Sequence, residues 1–407
     1  MGKESNDINV LCIGAGTEQL PAIEIAQQMG LRVIAVDGNS KAIGLQVADR
    51  GIIMDLRDKK KVIQLAQEAN IRCVLPVPLG AILTTVGAVN DALGLRGISE
   101  DAAKNCTDKL LTRKILADAG LPTPNFALAT DAESLLKAAE QVDYPVVVKP
   151  RYGSGSLGVF AARDKTEFLH WLPWHFEQRQ KSKQLEQSIV ESFVIGQEIG
   201  VDSFVNGNNH SIILIRDKEI TELPFRLPYA YLTPTNLTNF VHAKINKIMT
   251  TACKALGLQD CLVHADIIVD KTGQLVILDI SGRPSGFNIN AKMIPAATGI
   301  KTIYEVIQFY LGDKADFRSK HHQGSVLRML SAPTGRFLAI EGIEKVREMP
   351  GIVAVETFLE PDDVIQERRT GALGYRVGYL LTHAQTREEA DRLWYTAANE
   401  IKFYVEE

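Results

Sequence analysis

YPVVVKPRYGSGSLGV, residues 144–159, decides how this chain is read. Val146, Val147 and Val148 form a β-branched apolar run, which predicts a buried strand. Lys149 ends that strand, and Gly153, Gly155 and Gly158 then fall within six residues, with Ser154 and Ser156 between them. A lysine at a strand end holds a positive charge at a fixed place. A glycine-rich loop after it lets several backbone N–H groups converge on one anion with no side chains in the way. The combination predicts a phosphate cradle. It is not the common P-loop, because the lysine precedes the glycines and no Gly-Lys-Ser or Gly-Lys-Thr follows.

Two stretches downstream extend this reading. In IVESFVIGQEIGVDSFV (189–205), Glu191 ends one predicted strand, Gly196 turns the chain and Glu198 begins the next. Two carboxylates around an apolar hinge suit the surroundings of an adenine and the hydroxyls of a ribose; two solvated glutamates on a hairpin are the plainer alternative. In LVHADIIVDKTGQLVILDISGRPSG (262–286), two apolar strands join through a turn at Asp270–Gly273. Asp266 interrupts the first and Asp279 ends the second, so the hairpin brings them near each other. Acids among β-branched neighbours need a compensating cation or donor. A pair of them suits Mg²⁺, which takes one or two carboxylates and completes its shell with phosphate oxygens and water. Arg283 follows in a turn rich in Gly282, Pro284 and Gly286 and offers a planar fork of donors to a carboxylate or phosphate. A structural ion pair among Asp266, Asp279 and Arg283 is the alternative.

Upstream, TDKLLTRKILADAGLPTP (107–124) predicts a helix capped by Thr107 or Asp108, with Leu111, Ile115 and Ala119 as its apolar stripe and Gly120 as its stop. Lys109 lies in its first turn, where the helix dipole disfavours a cation. A ligand phosphate would explain that misfit; so would a solvated lysine.

The order DKxxxR–helix–GLPxP, VVVKP with a glycine loop, ExFxxGxE, then AD…LDxSxRP resembles the ATP-grasp superfamily, with a first domain like that of biotin carboxylase. The resemblance covers residues 8 to about 310. It implies an α/β and α+β architecture: a Rossmann-like domain over 1–106, an ATP-grasp domain over 107–315 with a small lobe at about 107–190 and a large lobe at about 191–315, and an α+β unit over 316–407 completing the large lobe. It implies that Lys109 and Lys149 contact ATP phosphates under the loop Gly153, Ser154, Gly155, Ser156 and Gly158. Glu191, Phe193 and Val194 would hold adenine and Glu198 the ribose. Asp266, Asp279 and Ser281 would bind Mg²⁺, or Mn²⁺ in its place, and Arg283 would face an acyl phosphate. Ser281 stands where many members of the family have Asn, and Asp stands at both acidic positions where Glu is frequent. His264 has two readings, a substrate-facing group or a packed strand residue.

The implied reaction activates a carboxylate as an acyl phosphate, which an amine then displaces; Arg283 and Lys149 are the candidate catalytic groups. The C-terminal pattern PTGRFLAIEGIEKVREMPGI…TREEA resembles L-amino-acid ligases, so the expected substrates are amino acids joined as a dipeptide or amide. TELPFRLP (221–228) and SGRPSGFN (281–288) are the candidate specificity segments. The rival within the superfamily is a carboxylase that uses bicarbonate and a small purine-pathway amine. From other classes, a nicotinamide-dependent oxidoreductase or a nucleotide-binding regulator remains. Relatives with this kind of first domain are often dimers, so a homodimer is one expectation.

The rest of the sequence bounds these readings. The 407 residues are 45% hydrophobic and 23% charged with a net charge of −4, which excludes a broad basic field for nucleic acid. The polar start MGKESNDINV is unlike a signal peptide, Asn6 spoils a myristoylation motif at Gly2, and no apolar run approaches the ~20 residues that span a bilayer. Cys12, Cys73, Cys106, Cys253 and Cys261 are scattered, as expected of buried reduced thiols in a cytoplasmic protein. Strands and helices alternate in the first hundred residues, with strands expected at Val10–Gly14, Arg32–Asp37, Ile52–Asp55 and Val74–Val77. The first turn of that unit, GAGTEQ (14–19), has two glycines of a dinucleotide fingerprint and Asp37 at the ribose position, but Gln19 replaces the third glycine. A tight turn with no dinucleotide is the favoured reading. WLPWHFEQRQKSKQ (171–184) mixes aromatics with bases; a domain-edge helix running into a charged linker is favoured over a membrane-surface helix.

Overall fold

The computed structural model describes residues 8–153, 155–181, 187–365 and 377–406. Strands β1 (Asn9–Ile13), β2 (Arg32–Asp37), β3 (Arg50–Ile53) and β4 (Cys73–Val74) form a parallel sheet in the order β3-β2-β1-β4. The side chains of β1, β2 and β4 are apolar and largely buried, as in a parallel sheet covered on both faces, whereas the edge strand β3 is mostly exposed. Strands β5 (Phe126–Ala129), β6 (Val146–Pro150), β7 (Phe160–Ala162) and β8 (Ser188–Ser192) form an antiparallel sheet in the order β5-β8-β6-β7. Val146 and Val148 point into its core with Phe160, Val190 and Phe168, and Lys149 closes the strand.

The main sheet begins after a short crossing at 193–196. It contains β9 (Gln197–Asn206), β10 (Asn209–Ile220), β11 (Pro228–Thr233), β12 (Cys261–Val269), β13 (Leu275–Ser281) and β14 (Gly324–Met329). Further on come β15 (Gly335–Glu341), β16 (Ile352–Thr357), β17 (Val364–Ile365), β18 (Gly378–Ala384) and β19 (Lys402–Glu406). The antiparallel order β13-β12-β9-β10-β11-β14-β18-β16 makes eight strands, so residues beyond 320 extend the same sheet. A separate three-stranded sheet, β17-β15-β19, caps the C-terminal end.

One apolar core joins the parallel sheet to the main sheet, from Leu11 and Val36 through Ala102 to Ile267 and Ile280. The β5–β8 sheet keeps its own core, which sets it apart as a small lobe. Gly196 sits at the crossing between them. A Cβ there would lie 2.4 Å from the Val269 carbonyl, so only glycine permits this close approach.

The helix expected after Thr107 runs over Lys109–Asp118 with Asp108 as its cap, and the capping box Thr386–Glu389 starts the helix Arg387–Ala398. β10 is longer than its apolar stretch, continuing through Arg216, Asp217 and Lys218, because each of these charges has a partner inside the fold. All five cysteines are buried and free, and no helix among the described residues is long and apolar enough to cross a membrane.

Candidate active site

Lys149, at the end of β6, is mostly buried, and its Nζ donates to Glu191 Oε2 at 2.6 Å. Glu191, at the end of β8, is 1% exposed, and its other oxygen accepts from Arg113 Nε at 2.7 Å. Burial alone would raise the Glu191 carboxyl; Arg113 and Lys149 outweigh that and hold it at about 2. Arg113 also donates from Nη1 to the Ile277 carbonyl at 3.0 Å and from Nη2 to that of Leu278, directly before Asp279. A buried chain Lys149–Glu191–Arg113 therefore fixes the small lobe's lysine against the last strand of the main sheet. Both side-chain oxygens of Glu191 are committed within the protein, so its carboxylate orients Lys149.

Lys109 reaches over from the neighbouring helix, where its Nζ donates to Gly153 O at 2.7 Å. Burial lowers its pKa, the Asp279 carboxylate works against that shift, and the Lys149 charge adds to it. The loop's first turn is tied down by Asp108, which accepts from Arg151 Nε at 2.7 Å and from Tyr152 OH at 3.1 Å while capping the helix through Leu110 N at 3.1 Å. Gly153, Gly155, Ser156 and Gly158 all have positive φ, of 134°, 70°, 60° and 69°. That left-handed path is what the glycines allow. Ser154 lies outside the described residues. The far end of the loop is held by His175, whose Nδ1–H donates to Gly158 O at 2.7 Å while Nε2 accepts from Ser188 Oγ at 2.8 Å. Burial lowers the His175 pKa to about 4, so it is neutral at physiological pH.

The helix that carries His175, Lys165–Lys181, overturns the membrane-surface alternative. Trp171 and Trp174 pack on Phe225 at ring distances of 4.9 and 4.8 Å. Phe225 belongs to the 221–228 segment, and Arg226 beside it lies over the Phe193 ring at 5.7 Å. Phe193 and Val194 are half-buried at the crossing between lobes, and Phe193 N donates to Pro145 O at 2.8 Å.

Across the cleft, Asp266 in β12 and Asp279 in β13 are direct register partners in an antiparallel pair, so both carboxylates leave the same face of the main sheet. Lys218 bridges Asp266 Oδ1, at 2.9 Å, to Glu198 Oε1, at 2.5 Å. Burial would raise the Asp266 carboxyl, but the Lys218 ammonium leads the charges that hold it far below the usual range. His264 lies between two charged groups: its Nδ1 is 3.3 Å from Arg216 Nη2 and its Nε2 is 3.5 Å from Asp266 Oδ1. Ser281 is buried, with its Oγ 4.0 Å from Cys106 Sγ. Among the described residues no group of three or more His, Cys, Asp or Glu side chains is arranged to hold a metal ion. Two carboxylates on one face, beside two lysines, fit a hard cation that relies on phosphate oxygens for the rest of its shell.

Arg283 follows β13 and donates from Nη1 to Pro284 O at 2.8 Å. It lines a cleft against Val74–Val77, at the C-terminal end of the parallel sheet. The loop after it is pinned from below: Ser285 Oγ donates to Asp202 Oδ1 at 2.7 Å, Asn290 Nδ2 donates to Ser285 Oγ at 2.8 Å, and Arg216 forms an ion pair with Asp202. In the N-terminal GAGTEQ turn, Gly16 N donates to Gln19 Oε1 at 3.0 Å and Ala15 N to Asp37 Oδ2 at 2.7 Å. The N–H groups and the acid that a dinucleotide would need thus satisfy each other.

Sequence reasoning passed over Arg113, Lys218, His175 and the Asp202–Arg216 pair. Arg113 was visible as the arginine of the DKxxxR spacing. The run Arg216-Asp217-Lys218 inside an apolar strand was a second signal, since charges there must be paired.

Known proteins resemble this chain in both sequence and fold. Residues 142–290 match the ATP-grasp domain family, and residues 328–406 match L-amino acid ligase C-terminal domain 2. The chain is 27% identical over 329 residues to the uncharacterized protein y4rH of Sinorhizobium fredii, an alignment covering 79% of this chain and 66% of that one. It is 22% identical over 301 residues to the L-arginine-specific L-amino acid ligase of Bacillus subtilis, covering 71% of this chain and 70% of that one. The crystal structure of an L-amino acid ligase from Bacillus licheniformis superposes with a TM-score of 0.85 at 22% identity, covering 98% of this chain and 99% of that one.

Proposed function

We propose that this chain, an ATP-grasp protein that carries an L-amino acid ligase C-terminal domain, joins the carboxylate of one amino acid to the amine of another at the expense of ATP. The observation that carries the reading is the opposed pair Asp266 and Asp279 on one sheet face, with the Asp279 and Lys149 charges both acting on Lys109. The L-amino acid ligase match over residues 328–406 supports an amino acid as substrate over the bicarbonate-dependent alternative.

In this reading Asp266 and Asp279 hold Mg²⁺, which neutralises phosphate oxygens when bound. Lys109 and Lys149 place two further positive charges on the phosphates, and the buried Glu191–Arg113 chain keeps Lys149 aimed without water to reorganise. The first substrate's carboxylate attacks the γ-phosphorus and ADP leaves, giving an acyl phosphate. The loop over 153–158 excludes water from that reactive anhydride. The second substrate's neutral amine attacks the carbonyl carbon, Arg283 stabilises the oxyanion, and phosphate departs. An α-amino group has a pKa near ~8, so a useful fraction is neutral without a dedicated base. Phe193 and Val194 border the adenine, and Glu198, held by Lys218, meets the ribose.

The test is ADP release with amino acids supplied singly and in pairs, with and without bicarbonate. The expected result is turnover that needs a pair and ignores bicarbonate, and that Arg283→Ala abolishes. Bicarbonate-dependent turnover with a single amine would instead support the carboxylase.

A further inference from the structure

The N-terminal unit leaves a question that ATP binding does not answer. Its first turn commits the Ala15 and Gly16 N–H groups to Asp37 and Gln19, yet one residue of the turn reaches into another part of the molecule. Both carboxylate oxygens of Glu18 accept from the backbone N–H of Phe287, at 2.8 and 3.1 Å. Phe287 stands four residues after Arg283, in the loop that borders the cleft.

The backbone at that point is unusual. Phe287 and Asn288 are consecutive non-glycine residues with φ of 57° and 55°. Left-handed conformations in such residues persist only where the surroundings impose them. Here the loop is gripped from three directions: by Glu18 from the N-terminal unit, by Asp202 through Ser285 from the main sheet, and by Tyr379, whose OH accepts from Asn288 Nδ2 at 2.9 Å. Gly286 leaves the space the acid needs, since a Cβ there would lie 3.3 Å from Glu18 Oε2. Glu18, Ser285, Asn288 and Asn290 also face one small cavity beside Pro284.

We propose that Glu18 is a positioning residue for substrate recognition: by holding the Phe287 amide it fixes the 284–288 loop, and with it the wall of the amino-acid site next to Arg283. The N-terminal unit then serves the amino acid and not the nucleotide. This rests on the ligase reading above for the identity of the substrate, but the clamp itself can be measured without it.

The experiment compares Glu18→Ala and Glu18→Gln with the wild-type protein in two assays. The first is steady-state ADP release with amino-acid pairs. Loss of a charge-assisted hydrogen bond that orients a substrate wall should raise KM for one amino acid roughly tenfold. KM for ATP should stay near its wild-type value, and Glu18→Gln, whose amide oxygen still accepts from Phe287, should recover most of the loss. The second assay is amide hydrogen exchange at Phe287, which should quicken in Glu18→Ala and stay protected in Glu18→Gln. Equal amino-acid KM values in all three proteins, or an equal rise in KM for ATP, would overturn the proposal. So would unchanged Phe287 exchange in Glu18→Ala, even if the wild-type protein proved to have no ligase activity. Absence of any amino-acid-dependent turnover in the wild type, with the exchange result as expected, would count against the ligase reading while leaving the clamp in place.

Discussion

Glu191 carries its charge at 1% exposure, and two cations explain how. Removing one partner of a buried ion pair strands the other, at a cost of about 3–5 kcal/mol. Glu191→Gln leaves Arg113 buried without its counter-charge, so its thermal midpoint should fall well below that of the wild type. The pH dependence has a definite sign. The unfolded carboxyl takes a proton near 4.5, whereas the folded one holds out to about 2. Its stabilisation is therefore full above pH 4.5 and is lost as the pH falls from there toward 2. Over that window the wild-type midpoint should drop more steeply than that of Glu191→Gln; parallel curves would show that the pair contributes nothing of the kind. Arg113 is the part of this arrangement that sequence order hides. Sequence order places Glu191 beside the adenine hinge, but only the packed structure brings a helix 78 residues earlier against it.

At the scale of elements, the glycine loop is not free-standing. Its start is tied to the helix Lys109–Asp118 through Asp108, Arg151 and Lys109, and its end to the helix Lys165–Lys181 through His175. His175→Phe should raise KM for ATP several-fold, while His175→Asn, which can still donate to Gly158 O, should raise it less. His175 is neutral when folded, with a pKa of about 4 against an ordinary 6.5; burial is the main cause, with the Arg179 charge adding to it. The unfolded chain binds a proton below 6.5, so this contribution to stability is full above pH 6.5 and fades as the pH falls toward 4. Thermal midpoints of the two variants should lack that part of the acid slope, and a slope identical to the wild type would contradict the assignment. The elements themselves were readable where the local pattern was strong: β6, the helix after Asp108 and the β12–β13 hairpin. What stayed hidden depended on partners distant in sequence. The charges Arg216, Asp217 and Lys218 sit inside β10 because Asp202 and Glu198 lie on the neighbouring strand and Arg387, the partner of Asp217, is 170 residues away. The β17-β15-β19 sheet pairs residues near 336 with those near 405, and nothing local announces such a pairing.

At the scale of the molecule, three parts meet at one cleft. The small lobe with its separate core brings Lys149 and the glycine loop. The main sheet brings Asp266, Asp279 and Glu198. The N-terminal unit shares the main sheet's core and places Val74–Val77 beside Arg283 and Glu18 against Phe287. The small lobe has its own core but is held to the main sheet by the buried Lys149–Glu191–Arg113 chain and by Trp171 and Trp174 on Phe225. The sequence motifs reveal the two charged walls of this cleft. They do not reveal that the N-terminal turn grips the substrate-side loop, since Glu18 and Phe287 carry no signature in isolation.

The central claim is that the cleft holds a nucleotide polyphosphate through a divalent cation on Asp266 and Asp279. Calorimetric titration of a non-hydrolysable ATP analogue, with Mg²⁺ and with chelator, into the wild-type protein and the Asp266→Asn/Asp279→Asn double variant addresses it directly. The account predicts that Mg²⁺ tightens binding to the wild type by about tenfold or more and leaves the double variant unaffected. Binding that is absent from the wild type, or that depends on Mg²⁺ equally in both proteins, would contradict it.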